Sequence, residues 1–196
     1  LAIKDMAGLL RPRTCYELVK KLKKNLNIPI HLHTHSTTGL SDATNFKAYE
    51  AGIDNIDTSI SSFSNLYAHT ATESFISMMY SEEKNPFDMK LLTKISEYFN
   101  EVRKKYHKYE GSMRGVDVNM LTNQVPGGML SILEKQLLDL NKADKFKLLI
   151  DEIPKIRKDV GYVPLVTPSS QIVGAQALMN VLDDQRYKTL NKEFID

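Results

Sequence analysis

The stretch His31-Leu32-His33-Thr34-His35 holds the residues of this 196-residue chain best suited to chemistry. In an extended strand side chains alternate, so the three imidazoles share one face while Leu32 and Thr34 take the other. Two histidines spaced two apart at a strand end can each bring a ring nitrogen to about 2.0–2.1 Å from one divalent ion. His33 and His35, nearer the rim, are the better pair, and His31 lies deeper. Three imidazoles used only to fill a core would each need a polar partner, which makes metal binding the stronger reading.

Lys4 stands in an otherwise apolar run, Leu1-Ala2-Ile3-Lys4-Asp5, that reads as the end of a buried strand. A buried lysine loses part of its preference for charge, and its neutral amine can take up CO2 as a carbamate that ligates metal like a carboxylate. Taken alone, Lys4 reads more simply as a lysine that reaches the rim or pairs with Asp5. With the histidine strand following it, the carbamate becomes a candidate.

The elements that must position these groups alternate short strands with amphipathic helices from residue 1 to about residue 61, the pattern of βα units. Thr14 and Glu17 are spaced as a capping box, and Leu18, Val19, Leu22 and Leu26 recur at helical spacing. The lysines at 20, 21, 23 and 24 then form a solvated face. Ile30 to His35 reads as the second strand. Ser41 is placed to cap a helix that ends at Gly52, and Ile53 to Ile60 alternates as a third strand. Compact strand-helix-strand units require parallel strands, and they suit a (β/α)8 barrel with chemistry at the C-terminal strand ends. From about residue 85 the chain reads as helices, with one apolar stripe from Leu91 to Tyr106 and another from Met129 to Leu140. The expected organisation is α/β: the last three βα units of a TIM barrel over residues 1–84, then a mostly helical C-terminal domain over 85–196. The first strand has no segment before it, so the chain is expected to begin within a domain.

Hydrophobic residues make up 42% of the chain, enough for a substantial core, and 26 basic against 24 acidic residues give no field that would draw nucleic acid or an anionic membrane. The single cysteine, Cys15, cannot form an internal disulfide, and no apolar run approaches a membrane span. A cytoplasmic setting is expected.

Ile3-Lys4-Asp5-Met6-Ala7-Gly8-Leu9-Leu10, the histidine strand, Val125-Pro126-Gly127-Gly128 and Val166-Thr167-Pro168-Ser169-Ser170-Gln171-Ile172-Val173-Gly174 together resemble the carboxyltransferase subunits of pyruvate carboxylase and oxaloacetate decarboxylase. The resemblance runs over essentially the whole chain. It implies carboxyl transfer between carboxybiotin and pyruvate or oxaloacetate. It also implies a divalent metal (Zn, Mn or Co) held by carbamylated Lys4, His33 and His35, a proton shuttle at Thr167 and a biotin contact at Ser170. The implied partners are a biotin carboxyl carrier domain, a biotin carboxylase subunit or decarboxylase subunits, and further copies of the chain, with no nucleic acid. A fourth protein ligand and the substrate-binding Arg and Gln of that family lie in segments these residues do not include, so catalysis by this chain alone is not expected. Read without the family, Thr167 before Pro168 is simply a helix start.

Leu66-Tyr67-Ala68-His69-Thr70 stands where those relatives often have a glycine-rich turn, and Gln171 replaces a lysine common in single-chain pyruvate carboxylases, which favours the separate-subunit branch. His69 and His107 read as ordinary loop histidines. Met89-Lys90 lies in an amphipathic helical stretch and is rejected as a biotin attachment site. The rival reading is a metal-dependent aldol or Claisen-type lyase or synthase of the barrel group that includes hydroxymethylglutaryl-CoA lyase, which usually has Asp-Thr in place of Lys4-Asp5. Amidohydrolases place their HxH strand before the lysine, the reverse of the order here. A non-catalytic assembly module would bind no metal.

Overall fold

In a computed structural model, residues 1–111, 113–118 and 120–195 are described, and they fall into two compact units, Leu1–Val118 and Asn119–Asp196. The first unit is built on three short parallel strands, β1 (Ala2–Asp5), β2 (His31–Thr34) and β3 (Asn55–Ile56), hydrogen-bonded in that order. Ile3 pairs with Leu32 and Leu32 with Ile56, which puts these three on one face. That face packs with Cys15, Val19, Ala48 and Ala51 of two helices, α1 (Pro12–Asn25) and α2 (Ser41–Ala51). Lys4 pairs with His33, and both side chains therefore lie on the opposite face.

Local capping differs from expectation in two places. The helix α1 begins at Pro12, ahead of Thr14, because proline pre-sets the first-turn backbone; Glu17 then lies inside the helix and pairs with Arg13 at 3.1 Å. In α2 the cap position is Leu40, and the Ser41 hydroxyl instead meets Ser36 Oγ at 2.7 Å. The expected stop at Gly52 is observed, with φ of 88°. The third strand is shorter than the alternation from Ile53 to Ile60 suggests. Asp54 leaves the ladder to accept from the Ile30 amide and Lys23, and the chain turns at Ser61–Phe63. Within this chain Lys4 lies exposed, on the face of the sheet away from α1 and α2.

Two more helices complete this unit, α3 (Thr72–Met79) and α4 (Met89–Lys105). Asp88 caps α4 by accepting from the Leu91 amide at 3.0 Å. The helix is held to the 61–63 turn by Ser61 Oγ to Ser96 Oγ at 2.6 Å, Arg103 to the Ser62 carbonyl at 2.8 Å, and Phe99 edge-to-face on Phe63. The helical stretch read from residue 85 is thus shared between the two units. Met89 and Lys90 lie in the first turn of α4, and His107 lies exposed beyond its end.

The second unit contains α5 (Met120–Asn123), α6 (Gly127–Asp139), α7 (Phe146–Asp159), α8 (Ser169–Leu182) and α9 (Lys192–Ile195). Leu130, Leu133 and Leu137 of α6 are buried with Leu149, Ile153 and Ile156 of α7 and Val173 and Ala177 of α8, while Ile132 and Leu140 of the expected stripe are exposed. Gly174 lets α8 approach α6: a Cβ there would lie 3.1 Å from the Met129 sulfur. Among the described residues no helix is long and apolar enough to cross a membrane.

Candidate metal centre

At the C-terminal end of β2 the backbone delivers His33 and His35 to the face shared with Lys4. Three loops meet there. The first, after β1, is wound around Asp5, whose carboxylate accepts the Leu9 and Leu10 amides, each at 2.8 Å, and the Thr34 hydroxyl at 2.7 Å. Asp5 is therefore committed to the loop and to β2, on the face away from Lys4. Gly8 has φ of 68°, and any Cβ there would overlap the His35 carbonyl oxygen. Thr38, in the loop after β2, donates to the Gly8 carbonyl. We expect Gly8→Ala to destabilise this loop pair by more than about 2 kcal/mol, from left-handed strain plus overlap with backbone that cannot yield. Hydrogen exchange of the amides of residues 6–10 and 34–38 in the full-length protein measures it; wild-type protection would refute the close approach.

The third loop follows β3 and returns over the strand end. Ser36 donates its amide to the Ala68 carbonyl at 2.8 Å, and Thr70, fully buried, donates to Ser41 Oγ and accepts from Asn45. Asn65 and Leu66 turn it with φ of 63° and 52°, the left-handed region that favours glycine.

The hydrogen bonds orient every imidazole in the cluster. Asp57 holds two rings: His33 Nδ1 lies 2.6 Å from one carboxylate oxygen and His31 Nε2 lies 2.7 Å from the other. His35 Nδ1 lies 2.6 Å from the Tyr67 carbonyl, and His69 Nδ1 lies 2.8 Å from the Thr34 carbonyl. A carbonyl oxygen only accepts, so these two Nδ1 atoms carry hydrogens, and Nε2 is the ring nitrogen left for another partner. His33 Nε2 and His35 Nε2 face each other at 3.2 Å. His31, fastened to Asp57, stays out of this encounter.

Electrostatics keep the cluster fit to ligate. Burial, reinforced by the neighbouring His69 and His33 rings, holds the His35 imidazole below its usual range against the opposing bond to Tyr67, so it is neutral at pH 7. Burial alone would push the Asp57 carboxyl up, but hydrogen bonds from His33 and His31 outweigh it and hold it low. A carboxylate on the far nitrogen raises the basicity of a ligating imidazole and fixes its ring.

One residue in the cluster escapes sequence reasoning. His69 reads as a loop histidine, yet its ring centroid lies 4.4 Å from that of His33 and 4.6 Å from that of His35. One ring nitrogen from each of the three lies within 4.8 Å of the others. No spacing motif links residue 69 to 33 and 35; only the loop's hydrogen bonds to β2 and α2 do so.

Thr167 and Ser170 belong to the second unit. Thr167 is exposed in the segment leading into α8, and Ser170 is buried in its first turn. The Ser170 amide and the Ser169 hydroxyl both donate to the Val166 carbonyl, at 2.8 Å each, which anchors the turn around Thr167. The helix-start role for Thr167 is not what forms: Pro168 occupies the cap position and no side chain caps α8.

Two family signatures divide the chain between them, one described as HMGL-like over residues 1–99 and one as a conserved carboxylase domain over residues 120–196. A pyruvate carboxylase subunit of Methanocaldococcus jannaschii is 46% identical over 198 residues, covering 100% of this chain and 35% of that protein. The methylmalonyl-CoA carboxyltransferase 5S subunit of Propionibacterium freudenreichii subsp. shermanii is 43% identical, covering 100% of this chain and 39% of that one. The carboxyl transferase domain of Rhizobium etli pyruvate carboxylase, solved with pyruvate and biocytin, superimposes with a TM-score of 0.91 at 30% identity, over 98% of this chain and 34% of that one. The chain thus spans little more than a third of the length of the relatives it matches, and its βα units superimpose on a segment of the carboxyl transferase domain of the Rhizobium etli protein. With an HMGL-like first half that covers half of its residues, the chain belongs to the HMGL-like family, and its second half carries the conserved carboxylase domain.

Proposed function

We propose that this chain is the metal-bearing part of a biotin-dependent carboxyltransferase that moves a carboxyl group between carboxybiotin and pyruvate or oxaloacetate, working within a larger enzyme. The observation that carries the metal is the pair of Nε2 atoms of His33 and His35, 3.2 Å apart with both Nδ1 atoms engaged elsewhere. Nitrogens set this close need a proton or a cation between them, and two nitrogens bound at about 2.0–2.1 Å to one tetrahedral ion lie about 3.3 Å apart. His33 and His35 hold the ion, and Lys4, in register with His33 on the same face, joins as its carbamate. Bound there, a divalent ion (Zn, Mn or Co) supplies Lewis-acid polarisation of the keto oxygen.

Asp57 keeps His33 in the ligating tautomer, and the Tyr67 carbonyl does the same for His35. Thr167 carries the proton between the pyruvate methyl group and biotin through its hydroxyl, and Ser170 contacts biotin. The conserved carboxylase domain over residues 120–196 favours carboxyl transfer over the aldol or Claisen reading, for which the HMGL-like match alone would suffice. The partners that follow are a biotin carboxyl carrier domain and a biotin carboxylase or decarboxylase subunit, in the cytoplasm.

The decisive experiment is carboxyl exchange between labelled pyruvate and oxaloacetate by the full-length enzyme with its carrier, with and without avidin. Avidin is expected to abolish exchange, and stripping the metal to reduce it severely. Exchange or cleavage indifferent to avidin would overturn the assignment in favour of the lyase reading.

A further inference from the structure

We propose that Arg157 is a positioning residue for Thr167: its guanidinium joins the segment that leads into α8 to the segment that leads into α6, and so fixes where the Thr167 hydroxyl stands. This role rests on the reading of Thr167 as a proton carrier and adds to it a second residue and a use for the Val125-Pro126-Gly127-Gly128 motif.

The chain leaves α7 through a Schellman turn. The Gly161 amide donates to the Lys158 carbonyl at 3.1 Å and the Tyr162 amide to the Arg157 carbonyl at 2.7 Å, with φ of 80° and 61° at Gly161 and Tyr162. Left-handed backbone at Tyr162 carries a cost that neighbouring bonds must offset. The Arg157 side chain makes such a bond: its Nε donates to the Val163 carbonyl at 3.0 Å, one residue past the turn. Its Nη1 donates to Gln124 Oε1. Gln124 is itself fixed, with its amide on the Met120 carbonyl at 2.9 Å. Buried Val125 and Pro126 follow it, and the Pro126 carbonyl accepts the Met129 and Leu130 amides at the start of α6.

From Val163 to Val166 the chain belongs to no helix or strand, so its course depends on what holds its two ends. At the far end the Ser169 hydroxyl donates to the Pro164 and Val166 carbonyls, and the Ser170 amide donates to the Val166 carbonyl. Leu165, between them, is buried. At the near end the Arg157 fork holds Val163. A planar guanidinium with donors in fixed directions sets its two acceptors relative to each other, which the rotating ammonium of a lysine does not do. The helices themselves pack through Leu149, Ile153 and Ile156 of α7 and Val173 and Ala177 of α8, so loss of the fork frees the loop and leaves the helices in place. A proton carrier has to stand within hydrogen-bond reach of both its partners, and a displacement of about 1 Å costs about 100-fold in rate.

The test follows exchange kinetics, metal content and amide hydrogen exchange of the full-length enzyme with its carrier. Arg157→Met keeps the apolar stem and removes the fork. It is expected to lower kcat for carboxyl exchange by about 10–100-fold while KM for pyruvate stays within about threefold of wild type. Metal content and protection of the α7 and α8 helical amides should stay at wild type, while the amides of residues 161–166 lose protection. Added to Thr167→Ala, Arg157→Met should lower the rate by less than about twofold more, because a misplaced hydroxyl and a missing one lose the same step. Gln124→Leu is expected to give part of the same fall in kcat, and Gln124→Glu, which keeps an acceptor for the guanidinium, to recover it. A wild-type kcat in Arg157→Met, a rise in pyruvate KM in place of the fall in kcat, or an effect that multiplies in full with that of Thr167→Ala overturns the proposal. Should Arg157→Met lose helical protection, Gln124→Leu decides, since it breaks the join and spares the Val163 bond: a lower kcat with intact helices supports the proposal, and a wild-type kcat overturns it. If Thr167→Ala itself exchanges normally, the proton-carrier reading is wrong and the role of Arg157 falls with it.

Discussion

Thr167→Ala in the full-length enzyme is expected to lower carboxyl exchange by about 10²–10⁴-fold, the usual contribution of a placed proton-transfer group, while the metal stays bound. The substitution is clean because the fold does not use this hydroxyl. The start of α8 is secured by the Ser169 hydroxyl and the Ser170 amide on the Val166 carbonyl, and among the described residues no hydrogen bond is made by Thr167 Oγ1. Loss of an exposed methyl-bearing hydroxyl costs little stability, so a fall in rate reports chemistry. Thr167→Ser retains the hydroxyl and is expected to keep exchange within about tenfold of wild type, since only the rotamer preference of the β-branched side chain is lost. Metal content is measured alongside exchange for both variants. Near-wild-type exchange by Thr167→Ala would remove Thr167 from the proton path and leave the assignment of His33 and His35 untouched.

The half of the centre that is legible in the sequence is the half that follows from periodicity. Alternation along β2 puts His33 and His35 on one face, and strand order puts Lys4 beside them, because a period of two and a parallel ladder leave no other arrangement. What is not legible depends on bonds between segments distant in sequence. His69 and His107 look alike in the chain, as single histidines near helical stretches. The ring of one is drawn onto β2 by the Thr34 carbonyl, and the ring of the other bonds to its own helix end at Lys104. The capping errors have the same origin. Thr14 and Ser41 carry the right chemistry for caps, but Pro12 starts α1 a turn earlier, and Ser41 serves the junction with Ser36 and Thr70 instead. Asp57 is in plain sight as an acidic residue after a strand, but its double role needs the register of His31 with Asn55.

In the second unit, Arg186→Met is expected to cost about 2–3 kcal/mol and to reverse how acid affects the unit's stability. Glu152 is buried in α7, and its carboxylate is held by Arg186 at 2.5 Å and by Asn180 at 2.9 Å. Asn180 also accepts from Gln176 and from the Tyr187 amide, and Gln176 accepts from the Asn191 amide, so one network ties the chain after α8 back to α7 and α8. Burial pushes the Glu152 carboxyl up, but the bonds from Arg186 and Asn180 and the guanidinium charge outweigh it and hold it below the ordinary range. A carboxyl held low contributes stability that is present above the unfolded value of about pH 4.3 and is lost as pH falls through the lower folded value. Without Arg186 only Asn180 and the more distant Lys155, at 3.4 Å, oppose burial, the largest influence on this carboxyl; the folded carboxyl is then expected to titrate above its unfolded value, and the unit to gain stability as pH falls through that raised value toward about pH 4.3. The cost stays near the lower end for a broken buried pair because the Arg186 side chain is 43% exposed while that of Glu152 is 7% exposed. Hydrogen exchange of the α7 and α8 amides in the full-length protein reads both effects locally. Glu152→Gln added to Arg186→Met removes the buried charge while leaving an acceptor for Asn180, and should restore part of the lost protection and flatten the acid dependence. If Arg186→Met keeps the wild-type acid profile, Arg186 is not what holds the Glu152 carboxyl low.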